Sequence, residues 1–101
     1  MAAIKAQVDA LIAENAVMVF SKSYCPYCIK AKGLLASLDV AFKAIELDNV
    51  ENGSEIQAYL LELTGQRTVP NIFIGQKHIG GCDKLVALEK SGELKAILAK
   101  I

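Results

Sequence analysis

The sequence predicts a single α/β domain: a mixed four-stranded sheet flanked by helices, with a βαβ unit followed by a β-hairpin and terminal helices. Three observations carry that expectation. Two short apolar runs, 16–20 and 42–47, bracket a segment in which Ala31, Leu34, Leu35 and Leu38 recur at helical spacing. A helix between two buried strands is the parallel crossover unit, which is right-handed as a rule. Asn71–Ile74 and Lys77–Ile79 then flank Gly75-Gln76, a two-residue loop with glycine first that suits a type II′ hairpin turn.

Taken in order, Ile4, Val8, Leu11 and Ile12 mark a first amphipathic helix ending near Asn15. Residues 16–20 read as a buried strand, and Ser21, Lys22 and Ser23 as the loop after it. Pro26 fits the first position of the next helix, where its missing N–H costs nothing. Gly33, inside that helix, is either a local weakness or a close-packing point. Phe42–Leu47 is the second strand. Ser54 and Gln57 have the spacing of a capping box, Ile56, Tyr59, Leu60 and Leu63 form an apolar stripe, and Gly65 ends the helix. Gly80-Gly81 leads from the hairpin into a helix with Leu85, Val86 and Leu88. Gly92 breaks it, and Leu94, Ile97, Leu98 and Ile101 belong to a last segment.

Eleven basic residues balance eleven acidic ones without clustering, which argues against a nucleic-acid footprint or a membrane-binding patch. The longest wholly apolar stretch, Ala16–Phe20, is too short to span a bilayer, and the N-terminus lacks a signal-peptide core. The expected compartment is the cytoplasm. Three cysteines cannot all pair within one chain, so reduced, reactive thiols are expected rather than a disulfide framework.

Chemistry concentrates at Cys25-Pro26-Tyr27-Cys28, directly after the first strand. Two cysteines one helical turn apart can reach each other, and the first lies where unpaired backbone N–H groups and the helix dipole favour a thiolate. Cys25 is the expected nucleophile, with Lys22 adding positive potential. Cys28, a turn inside, is the expected resolving thiol, and Tyr27 is a candidate wall of a substrate groove. Zinc is the competing reading, with His78 and Cys82 as a second ligand pair. It is disfavoured because that pair lies about fifty residues away across a turn and a Gly-Gly break, and Pro26-Tyr27 makes a stiff knuckle. Cys82 reads as a packed or surface thiol near the site.

A second constellation supports thiol exchange. In Thr68-Val69-Pro70 the proline interrupts the ladder and exposes the preceding backbone, more so if the bond is cis. Arg67 can meet a carboxylate, Gly80-Gly81 permits close backbone approach, and Asp83 can face an ammonium. Together these suit a small zwitterionic peptide thiol such as glutathione. Lys22 and Arg67 would answer its glycyl carboxylate, the Val69 backbone its cysteinyl unit, and the Cys82 backbone with Asp83 its γ-glutamyl end.

Three blocks in order, Lys22–Cys28, Thr64–Ile74 and His78–Asp83, make the chain similar to dithiol glutaredoxins over essentially its whole length. The resemblance implies a thioredoxin-like fold, a cis peptide before Pro70, and glutathione as reductant of glutathionylated or disulfide-containing proteins by a monomeric enzyme. It places glutathione contacts at Lys22, Cys25, Tyr27, Arg67, Thr68, Val69, Cys82 and Asp83, with Gln66 as a further contact and Pro70 and Gly81 shaping the cradle. No metal is expected, and Pro26 disfavours the bridging iron–sulfur cluster of some relatives. Lys84 stands where many members carry an acidic or hydroxyl residue, which leaves more of the γ-glutamyl end to Asp83. A thioredoxin-like enzyme reduced by a flavoprotein is the rival, and it leaves the charged ends of the groove without a purpose.

Overall fold

The computed structural model describes residues 2–101. Helix α1 (Ala2–Glu14) leads into strand β1 (Val17–Ser21), helix α2 (Pro26–Ser37) and strand β2 (Lys43–Glu46). A 3₁₀ turn (Leu47–Asn49) connects to α3 (Gly53–Thr64), followed by the hairpin β3 (Asn71–Ile74) and β4 (Lys77–Gly80), then α4 (Cys82–Ser91) and α5 (Glu93–Leu98). The strand order is β2-β1-β3-β4, with β1 parallel to β2 and antiparallel to β3, and β3 antiparallel to β4. Among the described residues no helix is long and apolar enough to cross a membrane.

All five residues of β1 are buried, because helices cover both faces of the sheet. Alternation sorts them. Val17 and Val19, with Ile72 and Ile74, pack against Ala31 and Leu35 of α2, Leu85 of α4 and Leu94 of α5. Met18 and Phe20, with Phe73, pack against Val8 and Ile12 of α1 and Ile56 and Leu60 of α3. The Phe20 and Phe73 rings meet edge to face at 5.9 Å, an arrangement the aromatic quadrupole favours. Ser21, the last residue of β1, falls on the α2 face and is in parallel register with Glu46.

Some local expectations are corrected. Strand β1 is shifted by one residue, starting at Val17 and running to Ser21, because Ser21 still pairs with β2. The hairpin turn has positive φ at both central residues, 58° at Gly75 and 66° at Gln76, the type I′ pattern rather than type II′. Tertiary bonds hold it so: the Gly75 N–H donates to the Ala16 carbonyl at 2.7 Å, and the Gln76 amide reaches the Ala13 carbonyl. The Ser54–Gln57 capping box does not form. Helix α3 begins earlier, at Gly53, and its flanking Asn52 makes no side-chain cap. Ser54 bonds Glu55, and Gln57 donates instead to the Arg67 carbonyl.

Gly33 and Gly53 are both helical, yet their surroundings differ. A Cβ on Gly33 would meet nothing within 4 Å, so this glycine is a weakness and not a packing point. A Cβ on Gly53 would lie 1.8 Å from the Leu47 carbonyl oxygen, a backbone atom that cannot swing aside. Gly33→Ala is therefore expected to stabilise the fold by about 0.5–1 kcal/mol through helix propensity. In Gly53→Ala the clash outweighs that gain, and a net loss of about 1–3 kcal/mol is expected. Urea midpoints at constant m-value check both signs.

Candidate active site

The β1–α2 junction crowds polar groups around two sulfurs. Cys25 is the N-cap of α2 and Pro26 its first residue, so the backbone turns from extended to helical at the first cysteine. Cys25 Sγ accepts the Cys28 backbone N–H at 3.3 Å and lies 3.8 Å from the Val69 carbonyl. An N–H donor at a helix start stabilises negative charge on that sulfur. Cys25 is partly exposed, whereas Cys28 is fully buried on the α2 face, and both are free thiols.

The electrostatics separate the pair further. Burial pushes the Cys28 thiol up, and its hydrogen bond to Cys25 adds to that; the Lys22 backbone N–H and the Ser21 hydroxyl pull the other way. Burial likewise pushes Cys82 up, with Lys30 opposing and the neighbouring Asp83 and Cys25 reinforcing. Cys28 and Cys82 are thus held as neutral thiols beside one accessible sulfur.

The loop that carries Cys25 is braced from outside. The Cys25 N–H donates to the Lys22 carbonyl at 3.1 Å. Asp48, in the 3₁₀ turn after β2, accepts the Ser23 N–H at 2.9 Å on one carboxylate oxygen and the Ser23 hydroxyl on the other. Those bonds, assisted by the Lys22 charge, lower the Asp48 pKa below the usual carboxylate range.

Beside Cys25 an open groove of about 560 Å³ runs between the segment entering β3 and the start of α4. Of the residues expected there, Tyr27, Gln66, Thr68, Val69, Pro70, Gly81, Cys82 and Asp83 line it. The Val69–Pro70 peptide is cis, and residues 68–70 lie outside the sheet ladder, which starts at Asn71. Gln66 is more committed than its sequence position suggests: Nε2 donates to the carbonyls of Thr68 at 3.0 Å and Pro70 at 2.9 Å. Gly81 caps α4, and a Cβ there would come within 3.6 Å of the Pro70 carbonyl. Lys22 and Arg67 do not line this groove; Lys22 sits in the loop before Cys25, and Arg67 is exposed beside Gln66. Lys84 does line it and brings a cation next to Asp83 at the α4 wall, an arrangement for which the sequence held only the signal of an unusual residue.

His78 lies elsewhere. It pairs with Phe73 across the hairpin, with ring centroids 5.3 Å apart, and Phe73 belongs to the α1/α3 face. Burial pushes the His78 pKa down. Cys28 and Cys82 sit on helices of the opposite face, so the residues weighed as a zinc set are not brought together.

A strand-helix junction presenting one accessible and one sealed sulfur, on a mixed sheet covered on both faces, defines a thiol–disulfide oxidoreductase of the thioredoxin-like fold. A glutaredoxin family model matches residues 17–79. A glutaredoxin from Solanum lycopersicum is 55% identical over 95 residues, which cover 94% of this chain and 88% of that protein. The crystal structure of a buckwheat glutaredoxin–glutathione complex superposes with a TM-score of 0.96 at 44% identity, over 98% of this chain and 90% of the other. A wheat glutaredoxin crystal structure gives 0.94 at 54% identity, over 96% and 92%. The chain belongs to the glutaredoxin family.

The asymmetry of the thiols has a direct readout. Brief iodoacetamide treatment of the native, reduced protein at pH 7 is expected to label Cys25 at least about tenfold faster than Cys28 or Cys82, since Cys25 is accessible and burial both covers the other two and holds them neutral. Peptide mapping of the adducts measures the ratio, and comparable labelling of Cys28 would contradict the assignment.

Proposed function

We propose that Cys25 is the nucleophile and Cys28 the resolving thiol of a glutathione-dependent reductase acting on glutathionylated and disulfide-containing proteins. The observation that carries this reading is the pairing of a partly exposed, N–H-supported Sγ at Cys25 with a buried thiol one turn away. The structural likeness to a glutaredoxin–glutathione complex supports the choice of glutathione.

In the first route the Cys25 thiolate attacks the glutathione sulfur of a protein–glutathione disulfide. The new bond joins Cys25 to glutathione, and the protein leaves as a thiolate with the electron pair of the broken bond. A second glutathione, as thiolate, attacks the glutathione sulfur on Cys25, releasing oxidised glutathione and restoring the Cys25 thiolate. Cys28 takes no part. In the second route Cys25 opens a protein disulfide and stays bonded to the target. Cys28 then attacks Cys25 Sγ, frees the target and leaves a Cys25–Cys28 disulfide for glutathione to reduce.

The groove supplies the recognition. Outside it, Lys22 in the loop before Cys25 and Arg67 beside Gln66 answer the glycyl carboxylate; within it, the Val69 backbone pairs with the cysteinyl unit in strand fashion, and the Cys82 backbone with Asp83 takes the γ-glutamyl group. Tyr27, Thr68 and Pro70 form walls, Gln66 braces one of them, and Gly81 keeps the backbone approachable. Three free thiols suit a reducing compartment such as the cytoplasm, and one complete site per chain suits action as a monomer.

A coupled glutathione assay on a glutathionylated peptide tests the roles. Cys25→Ser is expected to abolish turnover. Cys28→Ser keeps deglutathionylation but loses reduction of a protein disulfide, and equal loss of both activities would reject the division of labour. Lys22→Gln and Arg67→Gln are each expected to lower kcat/KM for the glutathionylated peptide about five- to tenfold, as loss of a charge-assisted contact dictates.

A further inference from the structure

The family resemblance places Gln66 among the glutathione contacts, yet its amide is already engaged within the protein. Nε2 carries two hydrogens, and both have carbonyl partners, Thr68 at 3.0 Å and Pro70 at 2.9 Å. Two carbonyls at one terminus also fix which way the amide faces. Only Oε1 is left, and it can accept but not donate. The amide lies between the walls of the groove: a Cβ on Gly80 would lie 3.8 Å from Oε1, and one on Gly81 3.9 Å from Nε2. The backbone of Gln66 is held as well. Its N–H donates to Thr64 Oγ1 at 3.0 Å, and that hydroxyl donates to the Leu60 carbonyl at 2.8 Å, at the end of α3. Val69 sits between the two tied carbonyls, and neither bond engages it. Its own carbonyl lies 3.8 Å from Cys25 Sγ. Residues 68–70 precede the ladder and Thr68 is exposed, so this stretch has no sheet bonds and, at Thr68, no burial to hold its course.

We propose that Gln66 is a positioning residue for the glutathionyl unit: it fixes the Val69 backbone beside Cys25 and spaces the segment entering β3 from the start of α4. It acts through the protein backbone and not as a ligand contact. A peptide that pairs with Val69 in strand fashion needs that residue at one height relative to the attacking sulfur. A misplacement of about 1 Å can cost about a hundredfold in rate. Ladder bonds would ordinarily fix such a stretch, and here the amide of Gln66 stands in for them on either side of Val69. With the segment held, the sulfur of a bound glutathionyl group is presented to Cys25 Sγ in a single register. Without the amide, the Thr68 and Pro70 carbonyls turn to water and Val69 moves with them.

This inference rests on the glutathione reading above, and the experiment keeps the two ideas apart. The full-length protein and its variants are compared in two reactions. One is turnover of a glutathionylated peptide with glutathione; the other is alkylation of Cys25 by iodoacetamide, which has no peptide backbone to pair with Val69. Absence of turnover in the parental protein would reject the glutathione reading itself. Gln66→Ala is expected to lower kcat/KM for the peptide about tenfold while the alkylation rate stays within about twofold. Gln66→Glu keeps the length and the acceptor oxygen but sets a carboxylate against two carbonyls, so its kcat/KM is expected to fall at least as far. A residue that touched glutathione through Oε1 would behave in the opposite way, because glutamate keeps that acceptor and adds charge toward the ammonium. Parental or better turnover in Gln66→Glu therefore overturns the proposal. So does parental turnover in Gln66→Ala, or alkylation that slows in step with turnover, which marks a purely structural effect. The Val69 amide resonance, recorded without glutathione, is expected to move in both variants, and an unmoved resonance would overturn the proposal too.

Discussion

The site depends on how abruptly β1 gives way to α2. The strand is buried to its last residue, and the helix begins five positions later, so the chain must turn without leaving its backbone donors unpaired. Part of the solution is a short turn closed by the Cys25 N–H on the Lys22 carbonyl, with the Cys28 N–H aimed at Cys25 Sγ. A cysteine at the N-cap completes a helix start and receives a partial positive charge in the same stroke. The packing of Val17, Val19, Ala31 and Leu35 holds strand and helix together, so the apolar core and the chemistry share one origin.

The same junction explains why two identical side chains behave differently. Cys25 is partly exposed, its sulfur 3.8 Å from the carbonyl of Val69 in the groove wall, while Cys28 lies on the buried face of α2. Burial disfavours charge on Cys28, whereas the helix start aims a backbone N–H at the Cys25 sulfur. The groove arises from separate elements: Gln66 ties the entry of β3 together, and α4 starts at its opposite wall with Gly81, Cys82 and Asp83. A family-wide chemistry thus rests on contacts between segments distant in the chain.

Local signals were enough for the elements whose reasons are local. The apolar runs, Pro26 at the helix start and the Gly65 stop announce β1, α2, β2 and the end of α3, and the cysteine pair announces itself. Where tertiary contacts decide, sequence patterns mislead or are silent. Ser54 and Gln57 have the spacing of a cap, yet Gly53 must sit against the Leu47 carbonyl and Gln57 is drawn to Arg67. Gly75-Gln76 suits two kinds of turn, and the bond to Ala16 reaches the segment just before β1. Ser21 reads as the start of a loop, and its partner Glu46 is twenty-five residues away in sequence; only the parallel register joins them.

Asp48 holds the nucleophile's loop by two hydrogen bonds to Ser23, although it belongs to a different crossover connection. Those bonds depress the carboxyl's folded-state pKa, so the tether is fully in force above the ordinary aspartate range and slackens only as pH falls through the depressed value. The reactive loop is consequently insulated from mild acidification. Protonation reaches this brace only below the range in which an unbraced aspartate would take up its proton.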